Sequence, residues 1–566
     1  MNNMKKLFSI IFVGLCLFMT SCDDTFNLDL QEDPNNPTPE TADLESLYNS
    51  VQLEFAAFLE SPQFFTMQLS RQRAFTAGNV YETAYSPVGF DGTWRSAYSN
   101  FMPDADAVID LASATQQFIH VGSSKVMKAY VLATLVDLFG DVPFTNAGQG
   151  IDLLSPSADN GADVYASASA LLDEAIADLE ANTAAGPNID VMYGGSASGW
   201  IAAANSLKIK MAVNTGDMAT VNAIVDSGNY ISSSDQDWDL QYGSNRDNPD
   251  SRHPLYVDSY ETSDGDYQSN WLMWLMSEDV DDPRRRAYFY RQVPSVPLDN
   301  INRFDCIHSV LPDQASAPSH YTACNPDMPY CAGSVDKGYY GRDHGNGNGI
   351  PPDGDIRAVY GVYPAGGKFD NDTFGGTQNS GTDGALGAGI HPIISSFMIN
   401  FWRAELMAAS GNNDGAKEQF MAGVAGSISK SLGFIDRDQN SLTEVVSTDI
   451  QTGAQILGDA FVPSDSIVSL FLDEMSARYD AASDKMQLIA TQELIASYGN
   501  GIEGLNMIRR TGQPDNIQPA ILTSAGTMVR SALYPAVHVN LNQTATQKSV
   551  YDQVFWDQAN LGPCFN

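Results

Sequence analysis

The sequence predicts an all-α fold of stacked helix pairs, broken by one large, irregular, loop-rich insertion. Three observations predict it. Apolar residues recur at three- and four-residue spacing through much of the first 240 residues. From 241 to 395 those stripes fade while Gly, Pro, Asp, Asn and Tyr become frequent. After 395 the helical spacing returns.

At 566 residues the chain is too long for one small core, and its 43% hydrophobic content is ordinary for a folded protein. It carries 30 basic and 69 acidic residues, a formal charge of −39. Such a chain repels nucleic acid, whose phosphates require clustered Lys and Arg. The charge keeps the protein soluble and is compatible with neutral ligands and bound cations.

Residues 1–21 read as a signal peptide. Lys5 and Lys6 precede an apolar run, Leu7 to Thr20, that is shorter than the ~20 residues a membrane-spanning helix needs. Met19-Thr20-Ser21-Cys22 resembles a bacterial lipobox, so Cys22 is the expected lipidation site and mature N-terminus. Asp23 and Asp24 resemble the surface-export signal of Bacteroidetes lipoproteins. Without residues 1–21 the balance is 28 basic against 69 acidic residues, or −41. Residues 22–40 form the expected lipid-anchored tether, polar and proline-rich.

Residues 41–240 are the expected N-terminal helical scaffold. Met127, Tyr130, Val131, Thr134, Leu135 and Leu138 share one face, and Gly140 and Pro143 end that helix. Leu171, Leu172, Ala175, Ile176 and Leu179 form a second stripe. A third helix starts at a Ser198 cap and stacks Trp200, Ala203, Ala204, Leu207 and Met211. It stops at Gly216, and Asp217 starts a short one. No strict 34-residue period stands out. Residues 241–395 are the insertion, too long for a structureless loop and therefore expected to form part of a ligand face. Residues 396–566 complete the helical scaffold.

With Cys16 in the signal and Cys22 lipidated, Cys306, Cys324, Cys331 and Cys564 remain. An exported protein favours disulfides, and four cysteines allow three pairings. The 306–331 cluster predicts one bridge stapling that loop. Neither CxxC nor a Cys/His ligand spacing occurs, so zinc is not expected.

The stretches AYVLATLVDLFGDVPFTNAGQG (129–150), SGWIAAANSLKIKMA (198–212) and IATQELIASYGNGIEGLNMIRRTGQPD (489–515) resemble the SusD/RagB nutrient-binding outer-membrane lipoproteins. So do FWDQAN in the tail, DPRRRAYFYRQ (282–292), GRDHGNGNGIPPDGD (341–355) and DPNNPT (33–38) after the lipobox. The resemblance implies a tetratricopeptide-like helix-pair scaffold whose loops build a ligand site. It implies a lid on a TonB-dependent outer-membrane transporter, a SusC-like barrel, to which captured oligosaccharide or peptide passes. It implies no enzyme activity and no required cofactor.

The residues agree with a binding role. GxSxG and HExxH motifs are absent, and GVYPAGGKF (361–369) fails as a phosphate loop at Val362 and Phe369. Carboxylates are abundant enough that counting alone leaves a surface-anchored glycan hydrolase as an alternative, beside a peptide binder and a scaffold for protein partners.

Neutral sugars need flat aromatic faces and planar polar groups. Arg71, Tyr81, Tyr85, Trp94 and Asn100 form one candidate cluster. Tyr267, Trp271, Trp274 and Tyr290, with Tyr260, Tyr288 and Tyr339 nearby, form another in the insertion. The alternative is that Trp94 and Trp274 anchor the core. Trp200, Trp402 and Trp556 belong to helical patterns and are assigned to packing, as are Arg509 and Arg510 at a helix C-terminus. Asp343, Asn346, Asn348, Asp353 and Asp355 supply oxygens from a glycine-rich turn, a possible structural calcium site. In an EF-hand frame, however, His344 takes the place of the first Asp and Asp355 that of the final Glu. Otherwise the loop is held by Asn and Asp bonding to neighbouring amides.

Overall fold

The computed structural model describes residues 43–565 except 77, 79, 263–266, 278–280, 298–315, 332–336, 348–352 and 378–379. The expected signal peptide, the tether, Cys22, Cys306 and Asn348 lie outside the described residues.

The described chain is mostly helical with little strand. Helix α1 (Leu44–Glu60) starts at Asp43, whose carboxylate accepts from the Ser46 amide at 3.0 Å, and buries Tyr48, Val51, Phe55, Phe58 and Leu59. It packs on α2 (Met102–Ala114), which packs on α3 (Phe118–Phe139). The stripe read in α3 is buried, but so is nearly every other residue of this helix. The reason is position: α2, α4 (Gly161–Ala181) and α5 (Ala197–Asn214) surround it, so no side is left for water.

Helix α4 keeps a true stripe. Leu172, Ala175 and Leu179 are buried, while Leu171 and Ile176 lie at its edge. The cap of α5 is Ser196 rather than Ser198; its hydroxyl accepts from the Gly199 amide at 3.2 Å. Asp217 caps α6 (Met218–Ser227) as read.

The second helical group is α7 (Ser396–Ala409), α8 (Asn413–Gly433), α9 (Asp465–Ala481), α10 (Lys485–Ala496) and α11 (Gly501–Thr511). Neighbours pack in sequence, α7 on α8 and α10 on α11, and α7 also meets α5, which joins the two groups.

The insertion leaves and rejoins the scaffold at one neck. Strand β1 (Trp238–Gln241) pairs antiparallel with β4 (Ile390–Ile394), Trp238 opposite Ile394. Inside the neck, β2 (Phe289–Tyr290) pairs with β3 (Val359–Tyr360). A separate hairpin, β5 (Val445–Thr448) with β6 (Gln455–Leu457), follows α8.

Arg284 ties the insertion to the helices. It holds Asp282 through two nitrogens, at 2.9 and 2.6 Å, and donates to Ser427 on α8 at 2.8 Å and to Gln492 on α10 at 2.6 Å. The insertion is therefore a packed body with its own aromatic core, in which Tyr288 stacks on Tyr363 at 5.4 Å, and it also stacks on the helical group, Tyr288 on Tyr498 at 4.7 Å. Cys324 is bonded to Cys564, 240 residues away, which fastens the insertion to the C-terminal tail. Cys331 is also disulfide-bonded.

Candidate functional site

The site is built around Trp94. Trp94 lies in a short helix, Asp91–Arg95, that runs into a π-helical turn, Ser96–Phe101, before α2 begins. Such turns are rare and concentrate at functional sites. Here the turn carries Tyr98, whose ring meets the indole at 4.6 Å and whose hydroxyl donates to the Pro143 carbonyl at 2.7 Å. Phe139 packs edge-on against the indole at 5.4 Å. The last wall is α12 (Ala536–Leu541), which brings His538 to 4.5 Å from the Trp94 ring. Asp91 fixes that wall by accepting from the Val537 amide at 3.0 Å.

Together these elements and the 147–156 segment enclose a cleft of about 290 Å³. None of its lining residues carries a carboxylate, an ammonium or a guanidinium. His538 is held below its ordinary pKa by burial, so its imidazole is neutral at neutral pH. Gln149 and Asn542 supply amides; Asn542 donates to the Pro156 carbonyl at 2.7 Å and accepts from Thr544. Two apolar lining residues are strongly exposed, Leu154 and Leu541 at 76% each. An aromatic wall, neutral amides and an uncharged lining suit a neutral ligand.

The other expected site residues lie elsewhere. Asn100 is exposed on the same π-turn but does not line the cleft. Arg71 is fully buried; it donates to the carbonyls of Gln518 at 3.0 Å and Leu69 at 2.7 Å, and to Tyr81 at 3.4 Å. Tyr81 is bonded to His344 at 2.6 Å, and Tyr85 packs edge-on against Phe65 at 4.8 Å. These three hold the core together.

In the insertion, Trp271 is buried and donates to the Asn516 carbonyl at 3.2 Å. Tyr267 is closed off by Arg342, 4.2 Å above its ring, and donates to Asp353 at 2.6 Å. Trp274 is 8% exposed, the same as Trp94, but unlike Trp94 it does not line the cleft, and Tyr290 is fully buried. The aromatic-rich composition of this segment builds its own core, because an irregular backbone without long amphipathic helices must bury apolar area through large rings. Tyr98, His538 and Asn542 were not singled out from the sequence. Tyr98 stands four residues after Trp94, one helical turn on, and His538 lies in a short helix entered through Pro535.

Residues 348–352 of the glycine-rich turn lie outside the described residues, and the buried carboxylates that flank them, Asp343 and Asp353, accept hydrogen bonds. Asp343 accepts from the Cys331 amide at 2.6 Å, from Gln518 at 2.9 Å and from Asn270 at 3.2 Å. Burial raises its pKa to about 6, although these donors oppose the shift. Asp353 accepts from Tyr267 at 2.6 Å and Tyr340 at 3.0 Å, Asn346 is buried and Asp355 is exposed. The two buried carboxylates are thus committed to separate donor sets. No group of three His, Cys, Asp or Glu among the described residues converges as metal ligands.

Residues 34–324 match the sequence profile of SusD-like proteins described as starch-binding and associating with the outer membrane. The chain belongs to the SusD-like family. Solved structures share the SusD-like fold. A SusD/RagB family protein from Bacteroides thetaiotaomicron VPI-5482 superposes with a TM-score of 0.64 at 17% identity, over 92% of this chain and 100% of that one. A chitin-binding protein gives 0.62 at 16% identity, over 91% and 99%. A SusD homologue from Bacteroides vulgatus ATCC 8482 gives 0.60 at 16% identity, over 92% and 98%. No curated protein matches the chain. SusD-like proteins are outer-membrane nutrient- and starch-binding proteins rather than enzymes. Among the described residues no helix is long and apolar enough to cross a membrane.

Proposed function

We propose that this SusD-like protein is a cell-surface lipoprotein, anchored through Cys22, that captures neutral oligosaccharide at the Trp94 cleft without chemically changing it. It hands the ligand to a TonB-dependent SusC-like transporter. The observation that carries this reading is the Trp94 indole at the wall of a cleft with no ionised lining residue, in a chain of net charge −39. The exposed part of the indole and the half-buried Tyr98 ring supply apolar surface for sugar C–H groups, and the amides of Gln149 and Asn542 supply partners for hydroxyls. The lining also lacks the carboxylate pair that glycoside hydrolysis requires. The similarity in fold to a chitin-binding protein supports a glycan ligand.

Calorimetry with a panel of neutral oligosaccharides tests the reading. Binding without product formation is expected, and Trp94→Ala should weaken it at least about tenfold. Unchanged binding in that variant removes the assignment. A second reading, an apolar peptide as ligand, is favoured by the exposed lining residues Leu154 and Leu541. Peptides included in the same panel separate the two.

A further inference from the structure

A second cleft, of about 560 Å³, shares no lining residue with the Trp94 cleft. It opens where α5 and α11 both end, against α7 and the tail segment that carries Phe555 and Trp556. Two helix C-termini present their carbonyl ends there, a field that favours positive charge.

Directly beneath lies a buried cluster of charges, of which Glu405 and Arg510 reach the cleft wall. Its carboxylates are Asp137 on α3, Glu405 on α7, Glu493 on α10 and Glu503 on α11; its cations are Lys210 on α5 and Arg509 and Arg510 on α11. None of these side chains is more than 5% exposed. Arg510 grips Glu405 at 3.1 and 2.7 Å and reaches Glu493 at 3.3 Å. Lys210 holds Asp137 at 2.7 Å and stands 3.2 Å from Glu503. Arg509 lies over the Trp556 ring at 4.7 Å and is linked to Asp137 through Asn506. The remaining polar neighbours of Asp137, Tyr165 on α4 and the Trp556 indole, are neutral donors.

Four carboxylates therefore face three cations, and an uncompensated charge is not stable at this depth. Burial, and then Glu405, keep the Glu493 proton in place well above the usual carboxyl range. Of the four carboxylates only Glu405 lines the cleft.

We propose that this cleft binds ligands through a primary ammonium group, which seats against Glu405 and supplies the fourth positive charge that the buried cluster lacks. The proton that Glu493 holds in the empty cleft leaves to solvent, one for each ammonium bound. Arg510 occupies both Glu405 oxygens, so chelation of a metal is blocked, while an ammonium needs only a remaining lone pair. The apolar walls take the carbon skeleton, and Thr215, Thr511 and Gln558 can bond its hydroxyls. The class is small amines, amino sugars among them. The proposal does not depend on the oligosaccharide reading of the Trp94 cleft.

The test is calorimetry of the Trp94→Ala protein with D-glucosamine and with D-glucose, in slightly acidic buffers of differing protonation enthalpy. Glucosamine should bind at least about tenfold more tightly than glucose, with heats that reveal proton release. Ala409→Trp, from the exposed end of α7, fills the cleft and should abolish glucosamine binding. Glu493→Gln removes the exchangeable proton and should abolish the buffer dependence; if it fails to fold, the Ala409→Trp arm decides alone. Equal affinity for both sugars, buffer-independent heats in the unsubstituted cleft, or glucosamine binding that survives Ala409→Trp each overturns the proposal.

Discussion

Lys210 and Asp137 form a 2.7 Å ion pair in which the lysine side chain is 1% exposed and the aspartate not at all. Burial alone lowers the lysine pKa, but Asp137 and Glu503 more than offset it and leave it raised. Asp137 also accepts from Asn506 at 2.9 Å and from Trp556 at 3.1 Å, so one carboxylate joins α3, α5, α11 and the tail. Lys210→Met would strand Asp137 and Glu503 without their cation. The expected cost is about 3–5 kcal/mol of unfolding free energy, read as a lower midpoint in urea. A loss below about 1 kcal/mol would mean that the remaining neutral donors compensate the charge.

The family segment GNGIEG has a packing reason for its second glycine, Gly501, which opens α11. A Cβ on Gly501 would lie 2.4 Å from the Met67 amide nitrogen and 2.5 Å from Thr66 Oγ1. The clash involves backbone, so neither side can turn away. Gly501→Ala should destabilise by about 2 kcal/mol or more. Gly433→Ala is the control, because nothing lies within 4 Å of its Cβ position. It should be neutral or slightly stabilising. Equal effects in the two variants would defeat the steric account.

The sequence made the helices legible and the sites largely illegible, for one physical reason. Stripes at 3.6-residue spacing report which face of a helix is covered, so α4 and the Asp217 cap could be read locally. Complete burial of α3 depends on three neighbours that no local window contains. The Trp94 cleft joins residues near 94, 143–156 and 537–542, separations across which spacing carries no information. Trp94 itself was legible as an aromatic beside polar groups. Arg71, Tyr81 and Trp271 had the same composition and proved to be core. An aromatic among charges reads alike whether its polar neighbours meet a ligand or the protein's own carbonyls.

The Cys324–Cys564 bond closes the end of the chain onto the insertion. Pro563–Phe565 forms a short 3₁₀ turn that meets the helix Ser319–Cys324. Removing a bond between residues so far apart enlarges the conformational freedom of the unfolded chain more than that of the folded one. The double variant Cys324→Ser, Cys564→Ser should lose about 2–5 kcal/mol and become more sensitive to proteolysis near the tail. Unaltered thermal midpoints in calorimetry would contradict this.

His253 makes a pH-dependent contribution to stability. Its ring is buried against Tyr242 at 4.5 Å, with Nε2 bonded to the Ile390 carbonyl at 3.1 Å and Nδ1 accepting from the Leu255 amide at 3.1 Å. Burial lowers its pKa from 6.5 to about 4; Glu60 opposes that shift and His391 adds to it. The neutral form is favoured in the folded state, so its contribution is fully present above 6.5. As pH falls from 6.5 towards 4, the unfolded chain takes up a proton that the folded one refuses, and stability drops by about 3 kcal/mol. Asp343 acts in the opposite sense: with its pKa raised from 3.8 to about 6, it adds stability as pH falls through the same range. The two nearly cancel in the native protein, so the histidine term shows only by difference. His253→Gln, which retains a donor for the Ile390 carbonyl, should become relatively more stable than the native protein as pH drops below 6.5. Parallel urea denaturation of both proteins across that range, with imidazole titration followed by NMR, checks it. A His253 midpoint near 6.5 would show that the ring is reached by water and remove the effect.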